Sequence, residues 1–149
     1  MSFLLDTNIV SETRKRRGNA AVKSWIASVH PEDLYLSVLV VGEVRRGIEQ
    51  LRRRNAEEAR VLEAWLASLR RDYAGRLLPV DGDVAEMWGR LNVPNTLPII
   101  DSYLAATALV HGLTLVTRNV ADVQRTGVPI LNPFEWTGKI LSRDVTEQG

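Results

Sequence analysis

Four carboxylates stand just past short apolar runs of the chain. Asp6 follows Phe3-Leu4-Leu5. Glu43 falls in the first two turns of a helix that follows Leu34-Tyr35-Leu36. Asp101 opens a helical run, Ser102 to Val110, that is apolar almost all round. Asp122 comes shortly after Leu113 to Val116. The chain has 18 acidic residues, so four of them prove nothing by number; their position at strand ends carries the signal. Clustered carboxylates repel one another and drive pKa values upward unless a cation intervenes. A helix apolar on every face is a buried helix, so Asp101 is expected to be at least partly buried. A buried carboxylate needs a cation, hydrogen-bond donors or a shifted pKa, and no Lys or Arg follows it before Arg118. A bound divalent cation meets that need, and carboxylate-held magnesium is the usual partner of phosphate chemistry. One free carboxylate can then position or deprotonate an attacking water. Asn8, Ser37, Thr117 and Asn119 lie at the same edge and can orient the acids.

Each acid also has a plainer use. Asp6 can cap a helix. Glu43 lies roughly 100° from the centre of its helix's apolar stripe, on the margin where many glutamates sit. Asp101 can complement a helix dipole. Asp122 can cap a turn.

The elements that must position these residues follow from periodicity. Strands are expected at Phe3–Leu5, Leu34–Leu36, Leu77–Val80, Leu113–Val116 and Val128–Leu131, with Pro79 marking an edge or an end. Asp6-Thr7-Asn8 starts a short helix through Glu12. Val22, Trp25, Ile26 and Val29 have helical spacing before Pro31. Ser37 caps a helix with the apolar face Val40, Val44, Ile48 and Leu51. A second amphipathic helix, Ala59 to Tyr73, makes a hairpin with it, hinged near Arg54-Asn55. This hairpin is a candidate dimer or partner surface, with Trp65 and Leu66 as apolar anchors or as core. Val84 to Leu91 is a short helix, Asn92 to Leu97 a loop, and Gly112 ends the Asp101 helix. Asn132 to Trp136 begins a last helical turn. Short apolar strands alternating with helices make an α/β fold with a mostly parallel sheet of about five strands, covered on both faces. Ligands bind beyond the carboxyl ends of such strands.

The whole chain of 149 residues is one domain by length, with 45% hydrophobic and 25% charged residues. Residues 1–142 are expected to form it, and 143–149 a flexible tail. With no cysteine and only His30 and His111, a thiolate or histidine-rich zinc site is excluded in favour of hard cations. The apolar stretch before Asp6 is too short for targeting or membrane insertion, so the expected location is cytoplasmic. Of 19 basic residues only Lys15, Lys23 and Lys139 are lysine, leaving 16 arginines, many in runs: Arg14-Lys15-Arg16-Arg17, Arg45-Arg46, Arg52-Arg53-Arg54 and Arg70-Arg71. Arginine forks match phosphate, although a solvated helix face paired with Glu57, Glu58 and Glu63 is the plainer account.

Four segments in this order resemble a PIN-domain protein, and more closely the VapC-type ribonuclease toxins of the FitB-like branch. They are Phe3-Leu4-Leu5-Asp6-Thr7-Asn8-Ile9, Leu36-Ser37-Val38-Leu39-Val40-Val41-Gly42-Glu43-Val44-Arg45-Arg46-Gly47-Ile48, Ile100-Asp101-Ser102-Tyr103-Leu104-Ala105-Ala106-Thr107-Ala108 and Leu115-Val116-Thr117-Arg118-Asn119-Val120-Ala121-Asp122. The resemblance runs on to Asn132-Pro133-Phe134-Glu135-Trp136. It implies a PIN-like α/β/α sandwich and endonucleolytic RNA cleavage dependent on Mg2+ or Mn2+. By motif position the acidic residues are Asp6, Glu43, Asp101 and Asp122. Asp6 and Asp101 would be the main metal ligands, with Glu43 and Asp122 completing the site or acting through water. It also implies a homodimer and a small antitoxin, often with a DNA-binding domain. Arginines would then contact RNA around the pocket. Two positions depart from the pattern: an amide at Asn119, where many members carry an acid, and Val123, where Phe is more usual. The fourth position thus lies open between Asp122 and Asn119.

Other readings fit less well. A haloacid-dehalogenase-like phosphatase wants a second Asp where Asn8 stands. A receiver-type phospho-acceptor domain wants an acidic pair after strand one and a Lys after strand five; neither is present. The alternative from another class is a catalytically silent module that binds RNA or a partner without cutting.

Overall fold

The computed structural model of the chain describes residues 1–138. The residue-142 boundary and the 143–149 tail therefore lie outside the described residues. Five strands, β1 (Phe3–Leu5), β2 (Leu34–Ser37), β3 (Leu77–Leu78), β4 (Thr114–Val116) and β5 (Ile130–Leu131), form one parallel sheet in the order β3-β2-β1-β4-β5. Successive strand residues point to opposite faces. Phe3, Leu4 and Leu5 are all buried, so both faces of the central strand are covered. Leu4 pairs with Tyr35 on one side and Leu115 on the other.

The chain moves outward from β1 through β2 to β3, then returns to lay β4 against the other side of β1. Strand order therefore reverses between β1 and β4. In open parallel sheets a crevice forms at the carboxyl ends of the strands at such a point.

Among the described residues, seven α-helices connect the strands: α1 (Thr7–Arg14), α2 (Ala20–Ser28), α3 (Val38–Arg52), α4 (Ala56–Asp72), α5 (Gly82–Leu91), α6 (Ile99–His111) and α7 (Val120–Val123). Their ends follow local chemistry. Asp6 accepts from the Thr7 amide at 2.6 Å. Ser37 Oγ accepts from Leu39 at 3.1 Å, and Asn55 caps α4 through Glu58. Gly112 closes α6 with φ of 67°, a left-handed conformation that glycine adopts without steric cost. The centre of α6 is buried, as its pattern required; Leu104, Ala105, Ala106 and Ala108 are each 0% exposed. The small alanines let this helix lie close to its neighbours. Each fully buried Leu contributes about 1.5–3 kcal/mol of transfer free energy.

Several element boundaries differ from expectation. The third strand stops at Leu78, because Pro79 has no amide to continue a ladder. It lies at the sheet edge, as Pro79 implied. The fifth strand covers only Ile130–Leu131. Residues Val120–Val123 form a helical turn where a capped turn was expected. Leu66 is 2% exposed and belongs to the core, so it is not a surface anchor; Trp65 is half-buried. Among the described residues, no helix is long and apolar enough to cross a membrane.

Candidate active site

Asp6 stands at the carboxyl end of β1, and β4 ends beside it at Val116, whose carbonyl accepts from the Asp6 amide at 2.9 Å. The Asp6 side chain is 4% exposed. Its Oδ1 accepts from the Thr7 amide at 2.6 Å, and its Oδ2 from Thr117 Oγ1 at 2.7 Å and Asn8 Nδ2 at 3.2 Å. Burial pushes its pKa up from the ordinary carboxylate value, while the bonds from Thr117, Thr7 and Asn8 oppose that rise. Thr117 Oγ1 also accepts from the Asn119 amide at 3.0 Å, which ties the turn after β4 to the same carboxylate.

Glu43 reaches the site from the second turn of α3, the helix that Ser37 starts. Thr7 Oγ1 donates to Glu43 Oε1 at 2.6 Å, which links the first turn of α1 to α3. Asp101 sits in the first turn of α6. That turn is braced by Trp88 of α5, whose Nε1 donates to Ser102 Oγ at 2.9 Å and whose ring stacks on Tyr103 at 4.7 Å. Asn92 accepts from the Leu97 amide at 2.8 Å and so holds the loop leading into α6.

The Asp101 carboxyl is pushed up to about 6 by burial first, then by the charges of Asp6, Asp122 and Glu43; a hydrogen bond from Asn119 partly offsets this. The other three sequence-predicted acids are thus all within electrostatic reach of Asp101. They are not equivalent in position. Asp6, Thr7, Asn8, Glu43, Asp101 and Asn119 line an open cleft of about 580 Å³, walled also by Pro98, Ile99 and Ile100. Asp122 is exposed on α7 and does not line it. Asn119 occupies the cleft wall, while Asp122 acts on Asp101 through charge.

Of the supporting residues, Asn8 and Thr117 bond Asp6 directly, and Asn119 lines the cleft with Asp101. Ser37 is 0% exposed and caps α3; it acts on the site by positioning the helix that carries Glu43. Thr7 and the Trp88–Ser102 brace were not singled out from sequence. For Thr7 the signal was there: a hydroxyl at the first helical position beside Asp6. For Trp88 no local signal existed, because its partner lies on another helix.

Among the described residues, no Lys or Arg lines the cleft. The donors are oxygen atoms of carboxylates, hydroxyls and amides, which suit a hard divalent cation. Among the described residues, no three acidic or histidine side chains close a metal cage by themselves. A cation held there would draw its remaining ligands from water or a phosphate. The like-charge crowding of Asp101 is strain that such a cation would relieve.

The arginine runs divide in two. Arg45 Nη1 lies 2.6 Å from Glu63 and 3.3 Å from Glu49, and Arg52 lies 2.9 Å from Glu49 and 3.2 Å from Glu63. The expected Glu63 pairing is present and Glu49 joins it, whereas Glu57 and Glu58 pair with no described arginine. Arg118 lies 4.6 Å over the Phe134 ring.

Comparison with known proteins identifies the family. Toxin FitB of Neisseria gonorrhoeae is 35% identical over 138 residues, covering 89% of this chain and 98% of its own. VapC ribonuclease Y4jK of Sinorhizobium fredii is 34% identical over 141 residues, covering 89% and 98%. Among solved structures, FitAB bound to a DNA fragment contains a chain that superposes with a TM-score of 0.82 at 33% identity, covering 91% of this chain and 97% of that one. Residues 3–127 match the PIN domain, a span that holds all four acids and the whole cleft; the chain belongs to the PIN-domain family.

Proposed function

We propose that this protein is a metal-dependent endoribonuclease and the toxin of a bacterial toxin–antitoxin pair. One observation carries the catalytic part: Asp101 is crowded by Asp6, Asp122 and Glu43 at a cleft that no cationic side chain lines among the described residues. The relatives' names, a toxin and a ribonuclease, support the rest.

Asp6 and Asp101 would hold Mg2+, or Mn2+ in its place. When bound, the cation supplies charge stabilisation on the phosphodiester and lowers the pKa of water. Asp6 is held still by three donors, so its orientation does not depend on the substrate. Glu43, fixed by Thr7, receives the proton of the attacking water. The water oxygen bonds to phosphorus, the ester bond to the next nucleotide breaks, and the departing oxygen takes up a proton from solvent water. Asn8 and Asn119 keep Asp6 and Asp101 aimed into the cleft, and Asp122 adds negative charge that strengthens cation binding.

A small antitoxin with a DNA-binding domain would inhibit the enzyme, in keeping with the relative solved as FitAB on DNA. The active form would be a homodimer. The test is incubation of a mixed RNA pool with the purified full chain in magnesium, in manganese and in chelator, beside Asp101→Asn. Metal-dependent fragments that vanish in the variant are expected. RNA bound but uncut under every condition would replace the enzyme with a silent RNA-binding module.

A further inference from the structure

A second depression, a groove of about 310 Å³, lies between α1, α3 and α4. Thr7 and Glu43 line both it and the acidic cleft. Their 2.6 Å hydrogen bond therefore forms the sill over which one depression passes into the other. Arg14, Arg54 and Trp65 line the far part of the groove. The Arg14 guanidinium lies over the Trp65 ring at 5.8 Å from its centre. Neither Arg14 nor Arg54 has an ion-pair partner among the described residues. This sets them apart from Arg45 and Arg52, which Glu49 and Glu63 engage. Glu58, also on the groove wall, accepts from Asn55 Nδ2 at 3.2 Å.

We infer that this groove is a subsite for a nucleotide next to the scissile phosphate of single-stranded RNA. The Arg14–Trp65 pair forms a shelf for a base, and Arg54 is a phosphate contact. The inference rests on the ribonuclease reading above. Its chemistry is that of single-strand recognition: bases stack on aromatic rings and on guanidinium planes, and free arginines track the backbone. An acidic cleft by itself repels a polyanion. Two unneutralised arginines beside it give the strand somewhere to be held while the cleft and its cation engage one phosphate. A peptide segment of a protein partner is the competing occupant. The unpaired guanidinium groups and the run of the groove into the carboxylate cleft favour the nucleic acid.

The test is fluorescence anisotropy of an end-labelled, mixed-sequence, single-stranded RNA in magnesium. The full chain carries Asp101→Asn so that the RNA stays uncut. Trp65→Leu is expected to weaken binding about tenfold, the range for loss of one stacked base. Trp65→Phe keeps a ring and should restore most of that loss. Arg54→Gln should lower the slope of log affinity against log salt by about 0.7, and Arg14→Gln should weaken binding by removing the guanidinium plane from the base shelf. Arg45→Gln, on the paired face, should leave both affinity and slope unchanged. Melting curves would establish that each variant is folded. RNA bound equally well by the groove variants would overturn the subsite while leaving the ribonuclease reading intact. The same would follow if they kept RNA but lost a co-expressed protein partner, and the groove would then be a protein-docking site. Failure of every form to bind RNA would remove both readings together.

Discussion

Glu49 and Glu63 on the outer face of the α3–α4 hairpin have carboxyls held below their ordinary range by hydrogen bonds and charge from Arg52 and Arg45. Asp101, in the cleft, is pushed the other way, to about 6, by burial and three other carboxylates. Both regions gather acids. On the hairpin face each acid has a guanidinium within 3.3 Å, so nothing further is required. In the cleft, hydrogen-bond donors orient the acids without neutralising them. The difference shows how structural charge is told from functional charge: surface pairs satisfy themselves, and an uncompensated cluster at a strand-order reversal calls for something from outside the chain.

Substitutions at the two ends of this contrast should differ most in activity. Asp6→Ala and Asp101→Asn are each expected to reduce metal-dependent RNA cleavage by about a thousandfold, since a metal site supplies several kcal/mol to the transition state. Initial rates on a labelled RNA pool would measure this, and an active Asp101→Asn enzyme would remove that residue from the site. Thr117→Val takes away the 2.7 Å bond to Asp6 while keeping the side chain's shape. The magnesium concentration for half-maximal cleavage should rise about 10- to 100-fold, as for other residues that orient a metal ligand.

The raised pKa of Asp101 has two consequences with opposite signs. The folded state holds its proton up to about pH 6, whereas the unfolded chain releases it near the ordinary carboxyl value of 3.8. Between these values the folded protein binds more protons, so this group makes the metal-free protein less stable as pH rises. Metal binding requires the ionised form, so magnesium affinity should increase as pH rises through about 6. Calorimetric titrations with magnesium and denaturant melts, each from pH 4.5 to 7.5, would show both trends; a magnesium affinity flat with pH would contradict them. Asp101→Asn should stabilise the metal-free fold at pH 7.5 by roughly 1 kcal/mol, because solvent screens a half-exposed group well below the 1.4 kcal/mol per pKa unit. The smallest effect belongs to the hairpin face. Glu63→Gln should leave both the melting temperature and the cleavage rate unchanged within error, as expected for exposed ion pairs. A clear loss of activity there would erase the distinction between the two regions.

Much of this site was readable along the chain. Apolar runs that stop at Asp6 and before Asp122 are strands by composition. The helix after Asp101 had to be buried because it offers no polar face. Ser37 and Gly112 are capping residues at the places where caps form. These are local effects, set by residues a few positions apart. That is why the sequence alone places the acids near one edge of a sheet. The plainer account of the arginines proved half right, because pairing across a hairpin depends on which faces two helices turn to each other. Leu66 went into the core for the same reason.

Strand order was decided only by the tertiary structure. No local feature says that β4 lies against β1 and not beyond β3. Packing of the buried α6, which precedes β4, on the sheet accompanies that choice. Through it Thr117 reaches Asp6 across 111 positions of sequence, and Asn119, not Asp122, enters the cleft wall. The Thr7–Glu43 bond spans 36 positions and joins two helices whose relation is likewise set by burial. Amino-acid types and spacings determined that the chain would carry an acidic edge. Packing of apolar faces, a sum over many distant contacts, determined which of its polar groups meet there.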